Sequence, residues 1–359
     1  MPHLELAAIS KTFKSNKVLD DISLAADAGE IVVIFGPSGT GKTVLLRLIA
    51  GVEEPSAGTI SIDDQDMADV APEHRDVGMA FQNFALFPHL DAFENIATPL
   101  RARAHSAAQI KEGVARVAKL LKIDHVLGHA PRQLSNGQKQ RTALARALAS
   151  SPKLLLLDDP LRNVDAKLRF EMRLELPRLL REAKSTVLYV TQDYKEAMAL
   201  ADRIAVLAHG KFVQVASPEE IYRHPATVNV ARLFGDPTIN LVETVVGEGA
   251  TVDLAGETAE IDKAYAGLKG RSVSFGVRPE AVEFVDGAGL KARVMAVTPL
   301  NERTVLLLQT KGGAELLASL PSSSSAIPKA ESEVTISFNP IGTHLFDRET
   351  GAALARGRA

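Results

Sequence analysis

The chain has 359 residues, 41 Lys and Arg against 44 Asp and Glu for a formal charge of −3, and no cysteine. That length suggests about two domains. The near-neutral balance argues against nucleic acid as the main partner, and the lack of cysteine excludes a disulfide framework or a thiolate metal site. Met1-Pro2-His3-Leu4-Glu5-Leu6 lacks the basic and apolar regions of a secretion signal. No apolar run approaches the roughly 18 residues that cross a bilayer, so any membrane role is expected to pass through another subunit.

From the N-terminus to about residue 235, short apolar strands alternate with amphipathic helices. Strands are expected at Leu4–Ile9, Ile31–Phe35, Thr59–Ile62, Val77–Phe81, Leu154–Leu157, Thr186–Val190 and Ile204–Leu207. Helices are expected at 42–50, 109–122, 137–149, 165–184 and 193–201; in the second, Ile110, Val114, Val117 and Leu121 share one face. Pro177 should kink the fourth. The alternation predicts an α/β domain with a largely parallel sheet. Ile204–Val215, turning at His209-Gly210-Lys211, reads as a hairpin. Character changes after Phe234-Gly235-Asp236-Pro237. Alternating strands follow at Val242–Val246, Val273–Val277, Ala292–Val297, Thr304–Leu308 and Val334–Phe338, with Ser322–Ser325 as a solvated loop. The expected organisation is therefore 1–235 as one domain, with a helical subdomain at about 84–150, and 236–359 as a small all-β barrel.

One motif carries chemistry by itself. Gly36-Pro37-Ser38-Gly39-Thr40-Gly41-Lys42-Thr43 is a complete phosphate-binding loop, set between the strand Ile31–Phe35 and a helix from Val44. Glycines let backbone N–H groups converge on phosphate oxygens, and the helix adds its positive end. Lys42 can reach the β- and γ-phosphates, and Thr43 can place its hydroxyl on Mg²⁺. A glycine-rich turn with a stray lysine would not carry both flanking elements.

Further segments surround this loop in the sequence: Ser10-Lys11-Thr12-Phe13, Val77–Gln82 followed by Asn83–Leu90, Leu134-Ser135-Asn136-Gly137-Gln138, Leu154–Asp158, Arg162-Asn163-Val164-Asp165, Phe275-Gly276-Val277-Arg278-Pro279-Glu280 and His344–Asp347. Taken together, the chain resembles the ATP-binding subunits of ABC transporters, and more narrowly the maltose-type importer ATPases of bacteria. The resemblance implies a P-loop ABC-type nucleotide-binding domain, with mixed sheet and helical subdomain, then an OB/MOP-like barrel. It implies ATP and Mg²⁺ as ligands. Phe13 would stack on adenine, and Gln82 would be the Q-loop ligand to Mg²⁺ beside Thr43 and Asp158. Ser135, Asn136, Gly137 and Gln138 would be the signature acting in trans on a partner's nucleotide, with Asp165 at the dimer contact. Phe84, Leu86 and Phe87 would form an apolar docking cleft for a transmembrane permease subunit. A solute-binding protein would act indirectly, and the chain would lie on the cytoplasmic face of the inner membrane.

The departures from the family pattern matter as much. Asp158-Asp159-Pro160 stands where the family has Asp-Glu-Pro, and Val190-Thr191-Gln192-Asp193 where it has Val-Thr-His-Asp. Asp159, the catalytic carboxylate, is one methylene short, a displacement that can cost about 10² in rate. Gln192 can donate a hydrogen bond but cannot titrate. Asn136 replaces the signature's first glycine, a milder change. The first two fall in one composite site. The expectation is an importer ATPase for sugars, polyols or glycerol-type solutes, paired with a different and fully equipped ATPase subunit. The alternatives are a slow homodimer and a largely non-catalytic ATP-binding partner. A soluble ABC ATPase acting on DNA or ribosomes would lack the docking segment and the tail.

Overall fold

In the computed structural model the described residues are 3–162, 164–324 and 326–355, apart from the side chain of Leu168. They form two compact units, one ending at Pro218 and the other beginning at Glu219.

The first unit runs β1 (Leu4–Phe13), β2 (Asn16–Ala26), β3 (Ile31–Phe35), α1 (Lys42–Ile49), β4 (Ala57–Ile62), β5 (Gln65–Asp66), β6 (Val77–Ala80), α2 (Ala92–Ala102), α3 (Ala107–Leu120), α4 (Asn136–Ala149), β7 (Leu154–Asp158), α5 (Ala166–Ala183), β8 (Thr186–Thr191), α6 (Tyr194–Leu200), β9 (Arg203–Ala208) and β10 (Lys211–Ala216). Its main sheet has the order β10-β9-β3-β8-β7-β6, parallel throughout except for β10. Every residue of β3, β7 and β8 is buried. Strands covered on both faces must be apolar without alternation, which is why these runs are legible in the sequence. A second, antiparallel sheet has the order β2-β1-β4-β5. One apolar cluster joins the two sheets through α1, with Leu6, Ile34, Leu45, Leu48, Leu156 and Leu188 fully or almost fully buried.

In an open parallel sheet, ligands collect at the carboxyl ends of the strands. Here the phosphate loop leaves β3, Asp158 ends β7, and Gln192 follows β8. The expected hairpin is β9–β10, with His209 at φ 50° and Gly210 at φ 74°. Two consecutive left-handed residues suit the right-handed twist of paired strands. Three elements of this unit were not expected: β2, the two-residue β5 and α2. In β2, Asp21 lies at φ 58° where the register against β1 shifts, which breaks the alternation between Leu19 and Ile22. Helix α2 carries Pro99 inside it. Helix α5 continues through Pro177, with Leu176, Leu179 and Leu180 buried on either side of it; packing of that face holds the helix against the proline's cost.

The second unit has α7 (Pro218–Arg223), α8 (Val228–Leu233), β11 (Asn240–Val245), β12 (Thr251–Asp253), β13 (Thr258–Glu260), β14 (Ser272–Val277), β15 (Val282–Phe284), β16 (Leu290–Pro299), β17 (Arg303–Thr310), β18 (Glu315–Pro321), β19 (Glu333–Phe338) and β20 (Thr343–Asp347). Sheets of order β15-β19-β16-β17-β18 and β11-β14-β20, with the hairpin β12–β13, enclose one core that includes Phe275, Val294, Leu308, Ile336 and Leu345. This is the small all-β barrel expected. The boundary, however, falls at 218/219 and not at 235/236. Arg278 gives the reason. It is 1% exposed, donates to the carbonyls of Tyr222 (3.0 Å), Ala231 (2.9 Å) and Phe234, and lies 4.1 Å from the Tyr222 ring centroid. One buried guanidinium thus ties α7 and α8 to the strands that follow.

Candidate functional site

The phosphate loop closes on itself through Lys42. Its Nζ donates to the carbonyls of Gly36 and Pro37, both at 2.7 Å, and the residue is 8% exposed. Burial pulls its pKa down, opposed by the carboxylates of Asp159 and Asp158. Two glycines here are required by geometry. A Cβ on Gly36 would stand 2.3 Å from the Leu207 carbonyl, and Gly41, the residue capping α1, is at φ 99° against Leu19 and Val18. Thr43 Oγ1 donates to Asp158 Oδ1 at 3.0 Å. That hydroxyl and carboxylate, on facing elements, are hard oxygen donors of the kind that suits Mg²⁺.

Asp159 sits one residue beyond the end of β7 at φ 46°, its N–H on the Val190 carbonyl at 2.9 Å. It is 8% exposed. Burial lifts its carboxyl to about 6, against the pull of Arg162, whose guanidinium lies 3.8 Å away. Gln192 Oε1 accepts from Ser38 Oγ at 3.1 Å, which leaves its amide nitrogen to donate. Lys42, Thr43, Gln82, Asp158, Asp159 and Gln192 therefore line one cavity of about 280 Å³. Behind it, Glu196 is 2% exposed and accepts from Tyr189 Oη and Thr191 Oγ1, both at 2.9 Å; burial pushes its carboxyl up to about 7.

The structure does not bring every expected residue to this cavity. Phe13 ends β1, 40% exposed, with Lys11 Nζ 4.8 Å from its ring centroid. Lys11 is held there by the Glu54 carbonyl at 2.6 Å and the Glu53 carboxylate at 3.3 Å. Ser135 caps α4 by accepting from Gln138 N–H, while Gln138 Oε1 accepts from Ser135 N–H. Asn136 is exposed and Gly137 buried. None of the four signature residues lines the cavity. Asp165 is exposed, and Asn163 lies outside the described residues. The apolar cleft is a separate groove of about 960 Å³ that Phe81, Ala85, Phe87 and Arg146 help to line. The expected cleft needs one correction: Phe87 lines the groove, while Phe84 and Leu86 are half-buried and do not. Phe84 sits at φ 63°, and this left-handed turn points the chain away from a simple alternation.

Sequence reading missed two groups. Arg162, the charge nearest Asp159, stood in a quoted motif but without a role. Glu196 gave no signal, because burial of a helical glutamate cannot be seen in a polar stretch.

A phosphate loop leaving β3, a switch residue after the adjacent β8 and a carboxylate pair at the end of β7 beyond it define a P-loop ATPase site. The chain matches the ABC transporter family over residues 19–162 and the TOBE domain over 275–346. It is 40% identical to the trehalose/maltose import ATP-binding protein MalK of Thermococcus litoralis, covering 99% of this chain and 100% of that one. It is 38% identical to the sn-glycerol-3-phosphate import ATP-binding protein UgpC of Yersinia pseudotuberculosis over 98% and 99%, and 39% to that of Cereibacter sphaeroides over 99% and 100%. The dimeric, post-hydrolysis structure of the ATP-binding cassette MJ0796 with ADP and Pi superposes with a TM-score of 0.55 at 32% identity, covering 60% of this chain and 98% of that one. The chain belongs to the family of ATP-binding subunits of ABC importers. It binds ATP with Mg²⁺ and hydrolyses it. No helix among the described residues is long and apolar enough to cross a membrane.

Proposed function

We propose that this chain couples ATP to the import of a sugar, polyol or glycerol-type solute, as a peripheral subunit on the cytoplasmic face of transmembrane permease subunits. Lys42 and the loop N–H groups hold phosphate, with Phe13 against the base. Thr43, Asp158 and Gln82 hold Mg²⁺, which neutralises phosphate charge. Asp159 faces the attacking water, Gln192 donates to the γ-phosphate, and Ser135 with Gly137 and Gln138 completes the partner's site. We further propose that the partner is a different ATPase, and that this chain's own cavity turns over slowly.

The observation behind the slow site is Asp159. Its raised pKa makes it a better base than an ordinary aspartate, but basicity does not replace reach. Its backbone is pinned to Val190, and Arg162 draws the carboxylate. Positioned groups carry most of phosphoryl-transfer catalysis. The same raised basicity favours a second reading, a homodimer in which Asp159 sustains a modest rate. The test of the impaired site is the purified chain carrying Asp159→Glu with Gln192→His. Its ATPase rate is expected to rise about 10- to 100-fold; an unchanged rate would mean these two residues do not limit turnover.

A further inference from the structure

The segment between Gln82 and α2 is fastened at two points. At its far end, Asn95 of α2 is fully buried. Its Oδ1 accepts from Phe87 N–H at 2.8 Å, and its Nδ2 donates to the carbonyls of Phe87 (3.1 Å), Leu90 (3.0 Å) and Asp91 (2.9 Å). At its near end the fastener is Arg146, in the last turn of α4. Arg146 Nη1 donates to the Ala85 carbonyl at 2.6 Å and Nη2 to the Phe84 carbonyl at 3.1 Å. The guanidinium lies 5.7 Å from the Phe87 ring centroid. Phe84 and Ala85 are both left-handed, at φ 63° and 46°. Such residues are strained and persist only where their surroundings hold them. The two carbonyls that Arg146 grips belong to these two residues. Helix α4 is also the element that Ser135 caps, roughly 16 Å away at 1.5 Å per residue.

We infer that Arg146 is a positioning residue that joins the groove to the signature helix, so that a segment seated against Phe87 sets the placement of Ser135. This rests on the reading above, in which the groove receives a permease segment and the signature serves the partner's nucleotide. The joint needs a fork. A guanidinium spans two carbonyls and a ring face at once, whereas an ammonium is a point charge. Asn95 ties the other end of the segment to α2, which packs on α4. The segment is therefore fastened to this helical layer at both ends.

The experiment uses the assembled transporter with Arg146→Lys, and with Arg146→Met, which keeps the bulk of the stem without donors. In both, the membrane subunits are expected to co-purify and KM for ATP to stay unchanged, while the permease-stimulated kcat falls about tenfold or more. Hydrogen exchange should quicken at 84–90 and hold at 136–149. Stimulation at the wild-type level in both variants, or unaltered exchange at 84–90, overturns the inference and leaves the docking reading standing. A wild-type chain that the membrane subunits neither retain nor stimulate overturns the docking reading and this inference with it.

Discussion

Asp159 concentrates the argument at the scale of a single residue. Its carboxyl titrates at about 6 in the fold against 3.8 when free, chiefly because burial disfavours the charge. Between those pH values the folded chain keeps a proton that the unfolded chain has released. Stability therefore falls as pH rises through that window, and the loss is complete above it. Asp159→Asn removes the buried charge at nearly constant shape. The nucleotide-free protein should gain about 3 kcal/mol at pH 8 and only about 0.5 kcal/mol at pH 4. Denaturant unfolding at the two pH values measures this, and an equal shift at both would assign the effect to packing. On the proposed role, the same buried setting would poise this short carboxylate as a base. Gln192 has no such compensation. Its hydrogen bond to Ser38 ties it to the phosphate loop, and an amide holds one protonation state at every pH.

At the scale of elements, Arg278 decides which helices belong to which unit. It serves the carbonyls of Tyr222, Ala231 and Phe234, and burial draws its pKa down. Arg278→Ala would leave buried carbonyls without donors. The second unit should lose about 3 kcal/mol in denaturant unfolding, with Arg278→Lys recovering little because one ammonium cannot bridge the set. A loss below about 1 kcal/mol would show that water replaces the guanidinium. Elements were legible in the sequence where local and tertiary demands agreed. Ile31–Phe35 and Leu154–Leu157 are apolar because both faces are covered, and Gly41 is glycine because its φ requires it. Elements were missed where tertiary contacts override the local pattern. A bulge at Asp21 hides β2, and Pro99 hides α2, although Asp91 followed by Glu94 is an N-terminal cap signal that the structure uses. The site divides in the same way. The residues of the phosphate loop, with Asp158, Asp159 and Gln192, are contiguous motifs and could be read. Arg146 acts across more than sixty residues of chain, which no spacing rule records, and Arg162 and Glu196, though near their partners in sequence, gain their roles from burial that the sequence does not display.

At the scale of the whole molecule, the proposed pairing with an unlike subunit rests on the positions of the departures. If the signature acts in trans, each chain contributes to two composite sites: its phosphate loop to one and its signature to the other. Asp159 and Gln192 line the first. On the signature side the only change is Asn136, exposed at the start of α4, and the cap made by Ser135 and Gln138 is intact beside it. Two copies of this chain would place an altered carboxylate and switch residue in both sites. One copy beside a complete ATPase would confine them to one site and leave the other altered only at Asn136. Phosphoryl transfer depends on each positioned group, so confining both departures to one site keeps the other fast. Native mass spectrometry of the transporter, purified through a tag on this chain, distinguishes the two. We expect one copy of the chain, at 38.4 kDa, together with a second ATPase of different mass. Two copies and no other ATPase would reject the pairing. The whole turnover would then fall to Asp159, and the raised basicity of that carboxyl would become the feature on which transport depends.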